Sequence, residues 1–251
     1  MSSHIAVIIP AAGKSSRFGG LEKKPFVMLD GRAIWQRAAE LFWTRNQVIR
    51  VYLVIPPEDR EDFRRRFGGL VAFNNIELVD GGSERFESVA NALSKIPETV
   101  EYVAVHDAVR PLTPAPLIDS VFEAALKYGA AMPALPVADT LKQVDTTKLE
   151  ITSTIPRAGL WQAQTPQVFR HAWLSEAYSQ RARLGTPITD DAQLVEALGH
   201  PIHVVTGSPF NFKITTREDM KLAEAILKGR GQKKIEARPS TGNPFDDEAK
   251  W

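Results

Sequence analysis

Residues 5–9 read Ile5-Ala-Val-Ile-Ile9, an unbroken apolar run rich in β-branched side chains, and the chain then meets Pro10. No position in this run favours water, so it suits a strand covered on both faces rather than one with a wet side. Pro10 stops further ladder donation, and Ala11, Ala12 and Gly13 lack the bulk that would hold backbone N–H groups away from an anion. Lys14, Arg17, Lys23 and Lys24 follow within one loop. The segment reads as a strand that delivers the chain to a polyphosphate seat.

Two better-known phosphate motifs fail on inspection. Gly13-Lys14-Ser15 copies the end of a G-x-x-x-x-G-K-[ST] loop, but Ile8 stands where its first glycine belongs. The G-x-G-x-x-G dinucleotide fingerprint fails because Ser15 occupies the second glycine position.

Apolar β-rich runs at 5–9, 48–55, 76–79, 102–106 and 130–135 alternate with helical periodicity at 33–43, 58–67, 84–96 and 115–127. That alternation predicts an α/β, Rossmann-like fold, with a mostly parallel sheet and helices on both faces. Ser83 is placed to cap the third helix. Further helices are expected at 170–183, 190–198 and 216–228, with short strands at 202–205 and 212–214. Residues 139–157 break the rhythm: Leu141, Val144, Leu149, Ile151 and Ile155 are spread among polar residues around Asp145-Thr-Thr-Lys148, which predicts a protruding β-hairpin arm. Such a hairpin is marginal alone, so its apolar residues pack either on their own subunit or on a second one. From Gly229 to Trp251 the composition turns to Gly, Lys, Asp, Glu, Pro and Ser, and the tail reads as disordered.

The chain has 251 residues, 43% hydrophobic, enough for one large core. Its net charge of +1 supplies no global field toward nucleic acid or membrane, so neither is an expected partner. Without cysteine there are no disulfides, thiolate zinc sites or thiol nucleophiles. The N-terminal run is too short for a membrane span and lacks signal-peptide features, making the cytoplasm the expected location.

Three further segments reach the same sheet edge. Asp107, with His106 and Arg110, follows the strand at 102–106, where open α/β sheets bind ligands, and a carboxylate there suits Mg²⁺ held against phosphate oxygens. Gly81 and Gly82 precede a helix and offer N–H groups, with Ser88 one turn inside it. Lys213 lies between Phe212 and Ile214, so it projects opposite to its apolar neighbours. Cations around a phosphate, a metal ligand and no covalent nucleophile together suit nucleotidyl transfer.

From 5 to 227 the chain resembles the 2-C-methyl-D-erythritol 4-phosphate cytidylyltransferases of non-mevalonate isoprenoid biosynthesis. The matching motifs are Pro10-Ala-Ala-Gly13 with Arg17, Asp80-Gly-Gly with Glu84-Arg85 and Ser88, and His106-Asp-Ala with Arg110-Pro111. Asp139-Thr-Leu-Lys142, Arg157 with Leu160-Trp161, Gln164-Thr-Pro-Gln167, Ile188-Thr-Asp190 and Asn211-x-Lys213-x-Thr215 continue the match.

The resemblance implies CMP transfer from CTP to methylerythritol phosphate with Mg²⁺ as cofactor and Asp107 as metal ligand. It assigns Arg17, Lys24 and Lys213 as catalytic cations, and Pro10, Ala11, Ala12, Gly13, Lys14, Gly81, Gly82, Ser88 and Ala108 to CTP. Arg110, Thr140, Arg157 and Thr189 are assigned to the acceptor phosphate, with Thr140 and Arg157 supplied by the partner's arm in a homodimer. It also implies a nucleotidyltransferase domain at 1–228 whose 139–157 segment is the dimerisation arm, followed by the tail at 229–251. Ser15 stands where the family usually has glycine, and Phe210 where an aspartate is common. Transfer of CMP to ribitol 5-phosphate and a non-catalytic nucleotide-binding module are the alternative readings.

Overall fold

The computed structural model describes residues 4–13, 24–183, 185 and 187–236. Strand β1 (Ile5–Pro10) has every residue from Ile5 to Ile9 buried, as its composition requires. The short hairpin of β2 (Met28–Leu29) and β3 (Arg32–Ala33) turns through Asp30 and Gly31, both at positive φ, and feeds α1 (Ile34–Trp43). There follow β4 (Val48–Ile55), α2 (Arg60–Phe73), β5 (Ile76–Asp80), α3 (Arg85–Leu93), β6 (Tyr102–Val105), α4 (Ala115–Tyr128) and β7 (Ala130–Pro136). A separate hairpin, β8 (Leu141–Asp145) with β9 (Glu150–Ile155), precedes β10 (Trp161–Ala163), β11 (Gln167–Arg170), α5 (His171–Ser179) and α6 (Asp191–Glu196). The chain closes with β12 (His203–Thr206) and α7 (Arg217–Glu236).

The main sheet runs β5-β4-β1-β6-β11-β7-β12. Ala131 pairs with Val168 of β11 and His203 of β12, and Ala134 pairs with Ala163 of β10 and Thr206 of β12. β10 and β11 therefore lie in tandem along one side of β7, and they alone run antiparallel to the other strands of this sheet. From β1 the chain builds outward to β4 and β5 on one side and later to β6 on the other. The crevice beyond the ends of β1 and β6 is thus the topological switch point, where ligands bind in open α/β sheets.

The period of two along each strand sorts the core into two layers. Ile5, Val7, Ile9, Val51, Leu53 and Ile55 face Trp35, Phe42, Phe63, Ile118 and Phe122 of α1, α2 and α4. Ala6, Ile8, Tyr52 and Val54 face Val89, Ala92, Leu174, Tyr178 and Val195 of α3, α5 and α6. Trp35, Phe42 and Phe122 are almost wholly buried, and truncating any of them to alanine is expected to cost about 3–5 kcal/mol. A third cluster under α7 joins Leu29, Ile34, Val109, Leu112, Ile214, Met220 and Ala223, tying α7 to the loops at the ligand-binding edge.

The structure departs from the sequence expectations in several places. Residues 212–214 form no strand; Ile214 makes one ladder-like bond to the Val109 carbonyl at 2.9 Å, and packing under α7 alone preserves the alternation around Lys213. Ser83 is not the cap of α3: Glu84 is, in a reciprocal capping box with Glu87, and the Ser83 hydroxyl donates to Glu87 at 2.7 Å. α2 continues through Gly68 and Gly69 to Phe73, with Val71 buried on the core side. α7 runs past the expected boundary at Lys228 to Glu236, so eight residues assigned to the tail are helical; the rest of that tail, 237–251, lies outside the described residues.

Candidate active site

Three backbone bonds carry the parallel ladder one residue past the strands. Ala11 N–H donates to the Val54 carbonyl at 2.8 Å, Gly81 N–H to that of Ile55 at 2.8 Å, and His106 N–H to that of Ile8 at 2.9 Å. They bring the residues after β1, β5 and β6 to one rim. Two clefts open there.

The first, of about 390 Å³, is lined by Ala12, Gly13, Pro56, Gly81, Gly82 and Ser83, among others. A Cβ on Gly81 would meet that of Ala12 at 2.4 Å, and one on Gly82 that of Glu87 at 2.4 Å, so both positions require glycine. Ser88, 2% exposed, accepts from Gly82 N–H at 3.1 Å and donates to the Glu84 carbonyl at 3.2 Å; its hydroxyl holds the glycine turn in place. Pro10 ends β1, while Ala11 and Ala108 bury their methyl groups in the core. Lys24 begins the short 3-10 turn Lys24–Phe26. Lys14, Ser15, Arg17, Lys23 and the side chain of Lys24 lie outside the described residues.

The second cleft, of about 250 Å³, is lined by Arg85, Asp107, Arg110, Thr165, Thr189 and Lys213, with Gln164, Gln167 and Asp190 beside them. Asp107 is its focus. Arg110 Nε and Lys213 Nζ each stand 3.2 Å from Oδ2, and Arg85 Nε stands 3.5 Å from Oδ1. Burial pushes the Asp107 carboxyl pKa up, but Arg85, Lys213 and Arg110 together outweigh it and hold the group well below the usual carboxylate range. It therefore stays ionised.

His106 is held within the scaffold of the cleft. Its Nε2 lies 3.1 Å from the Arg110 carbonyl, which can only accept, so that nitrogen carries the proton. Nδ1 then accepts from the Thr165 hydroxyl at 3.1 Å, and that hydroxyl accepts Asp107 N–H at 3.1 Å. Burial lowers the His106 pKa to about 4 against the opposing pull of the Arg110 carbonyl, which keeps the ring neutral. Asn211, fully buried, completes the scaffold: its amide donates to the Thr165 carbonyl at 2.9 Å and accepts from Thr113 at 2.7 Å, while its own carbonyl takes Arg110 Nη1 at 2.6 Å.

The structure thus brings Asp107, Arg110, Thr189 and Lys213 into one cleft. Thr140 and Arg157 are not there. They flank the exposed hairpin, whose register pairs Leu141 with Ile155, so both lie at its root. Phe210 is half exposed with the Arg230 guanidinium 5.7 Å from its ring centroid, and is not among the cleft-lining residues.

Arg85 and Asp191 were given no role from sequence. A signal was present: Arg85 precedes Ser88, Val89 and Ala92 by three, four and seven residues and so sits on the buried stripe of α3. A charge on such a stripe calls for a buried partner, here Asp191 Oδ2 at 2.7 Å.

The family model described as IspD, 2-C-methyl-D-erythritol 4-phosphate cytidylyltransferase, matches residues 5–229. The chain belongs to that family. It is 40% identical over 238 residues to the cytidylyltransferase of that name from Rhodopirellula baltica, a match spanning 90% of this chain and 96% of the relative. It is 38% identical over 223 residues to that from Geobacillus thermodenitrificans, covering 89% and 96%. The solved structure of the Thermus thermophilus cytidylyltransferase superposes with a TM-score of 0.74 at 34% identity, over 88% of this chain and 98% of that one. The 4-diphosphocytidyl-2C-methyl-D-erythritol synthase structure from Anaerococcus prevotii gives 0.77 at 27% identity, over 91% and 100%. The cytidylyltransferase fold therefore spans almost the whole length of these relatives.

Proposed function

We propose that the protein transfers CMP from CTP to 2-C-methyl-D-erythritol 4-phosphate, releasing pyrophosphate and forming 4-diphosphocytidyl-2-C-methyl-D-erythritol for isoprenoid synthesis. The observation that carries this reading is the pair of clefts at the switch point, one walled by Gly81 and Gly82 and one cationic around Asp107.

The glycine-walled cleft is assigned to the cytidine end, where Gly81 and Gly82 line the wall without side chains. The cationic cleft suits the acceptor phosphate, with Arg110 and Thr189 as its contacts within the protomer. Lys213, together with Arg17 and Lys24 of the first loop, offsets the charge that builds on the α-phosphate as the acceptor oxygen attacks and pyrophosphate leaves. The donor set at Asp107 is a carboxylate with hydroxyls nearby, hard oxygen ligands that fit Mg²⁺ better than a softer metal. In this reading Asp107 would hold the Mg²⁺, which would supply positive charge to offset that of the phosphates.

The arm supports a homodimer. Leu149 and Ile151 are 82% and 65% exposed on a hairpin outside the main sheet, a surface that a second subunit would cover. In that assembly Thr140 and Arg157 at the arm's root would reach the partner's cleft. No helix among the described residues is long and apolar enough to cross a membrane, and the proposed setting is the cytoplasm.

Pyrophosphate release from CTP and Mg²⁺, measured in parallel with methylerythritol phosphate and ribitol 5-phosphate, tests the assignment. Release is expected with the first acceptor and much less with the second. A preference for ribitol 5-phosphate would move the protein to the sister activity, and silence with both would refute catalysis.

A further inference from the structure

The Arg85 guanidinium stands between two carboxylates of different kinds. Its Nη2 donates to Asp191 Oδ2 at 2.7 Å, and Asp191, fully buried, also accepts from the Tyr178 hydroxyl at 2.5 Å. Its Nε is 3.5 Å from Asp107 Oδ1, beyond a good hydrogen bond. The guanidinium is therefore fixed at its buried end and only loosely engaged at the cleft. Oδ2 of Asp107 meanwhile faces Arg110 and Lys213.

One carboxylate thus serves three cations. Among the described residues no group of three or more His, Asp or Glu side chains is arranged to hold a metal by itself. A magnesium site built on one carboxylate draws its other oxygens from water and substrate phosphates. A bare divalent cation approaching Asp107 would meet three positive charges, whereas a cation carried by a triphosphate brings its own compensating anion.

We propose that Arg85 is a positioning residue that guards Asp107: pinned by Asp191, which Tyr178 holds in turn, it leaves the carboxylate open to a divalent cation only when that cation arrives with the nucleotide. The inference rests on the reading of Asp107 as the metal ligand. Arg85 acts through Asp107 and does not touch the reacting phosphorus.

The test is Mn²⁺ binding to the full-length protein without nucleotide, followed by the electron paramagnetic resonance signal of the free ion. Wild type is expected to bind Mn²⁺ weakly, and Arg85→Gln about tenfold or more tightly, since a positive charge beside the site is gone. Arg85→Gln alone strands the buried Asp191 charge, so Arg85→Gln/Asp191→Asn is measured beside it and is expected to gain affinity too, by a smaller factor because the Asp191 charge is also removed. Adding Asp107→Asn to either variant should remove the gain. Equal Mn²⁺ affinity in wild type and the double variant, with only the melting temperature changed, would reduce Arg85 to a structural tie and overturn the proposal. A gain that survives Asp107→Asn would overturn it as well. Separately, if Asp107→Asn in the wild-type background leaves the Mg²⁺ dependence of CTP turnover unchanged, the metal-ligand assignment itself fails.

Discussion

The cleft around Asp107 and the hairpin of β8 and β9 are built on opposite terms. In the cleft, Asp107, His106, Thr165, Asn211 and Arg110 satisfy one another within a single protomer. On the arm, Val144, Ile151 and Ile155 of the two strands and Leu149 of their turn are exposed, and the strands pair with each other. The difference teaches where each part of the site gets its order. The cleft is preorganised by its own core, whereas the arm leaves its apolar residues exposed in the protomer.

The first way to sharpen that contrast is Lys213→Ala. Arg85 and Arg110 remain to hold Asp107, so the fold should survive while the cation proposed to act on the reacting phosphate is lost. Turnover is expected to fall about 10²–10³-fold with a much smaller change in CTP affinity. Parallel losses in both, from steady-state kinetics and calorimetric titration, would assign Lys213 to ground-state binding. On the arm, Ile151→Asp should weaken the dimer by about 30-fold or more, because a carboxylate would be buried unpaired in the interface. Sedimentation at several concentrations reads this, and an unchanged self-association would locate the interface elsewhere.

A further test concerns the cleft's scaffold and pH. His106 has its folded pKa lowered to about 4 from an unfolded value of 6.5. The unfolded chain therefore binds the extra proton between those values, so this stabilisation is complete above about pH 6.5 and is lost as pH falls toward 4. The loss amounts to roughly 3 kcal/mol across that window. Urea midpoints measured from pH 4 to 7 should rise with pH, and His106→Gln should flatten the rise. An unaltered slope would mean that other groups carry it.

The same contrast explains what could be read from the chain itself. Strands β1, β6 and β7 were legible as continuous apolar runs, and β4 and β5 as apolar runs interrupted by one charge each, Arg50 and Glu77. β10 and β11 were not: Trp161-Gln-Ala163 and Gln167-Val-Phe-Arg170 are short, separated by Gln-Thr-Pro, and owe their pairing to β7 and β6. α7 was cut short because Gly229 and Gly231 each cost about 1 kcal/mol in a helix, while the anchoring by Met220 and Ala223 could not be seen in advance. Asp107 and Lys213 were legible as charges at a strand end and in an apolar alternation. Asn211 appeared only as part of a motif, since one amide spanning Thr113 and Thr165 joins residues that the sequence keeps far apart.

The dependence of one protomer's cleft on the other's arm can be measured by mixing two inactive variants. Lys213→Ala disables a cleft and leaves the arm intact, whereas Arg157→Ala disables an arm and leaves the cleft intact. After unfolding and refolding together in equal amounts, half the dimers should be mixed, and each should hold one cleft served by an intact partner arm. About a quarter of wild-type activity is expected to return. No activity above that of the separate variants would mean that each arm serves its own cleft, contradicting the shared site.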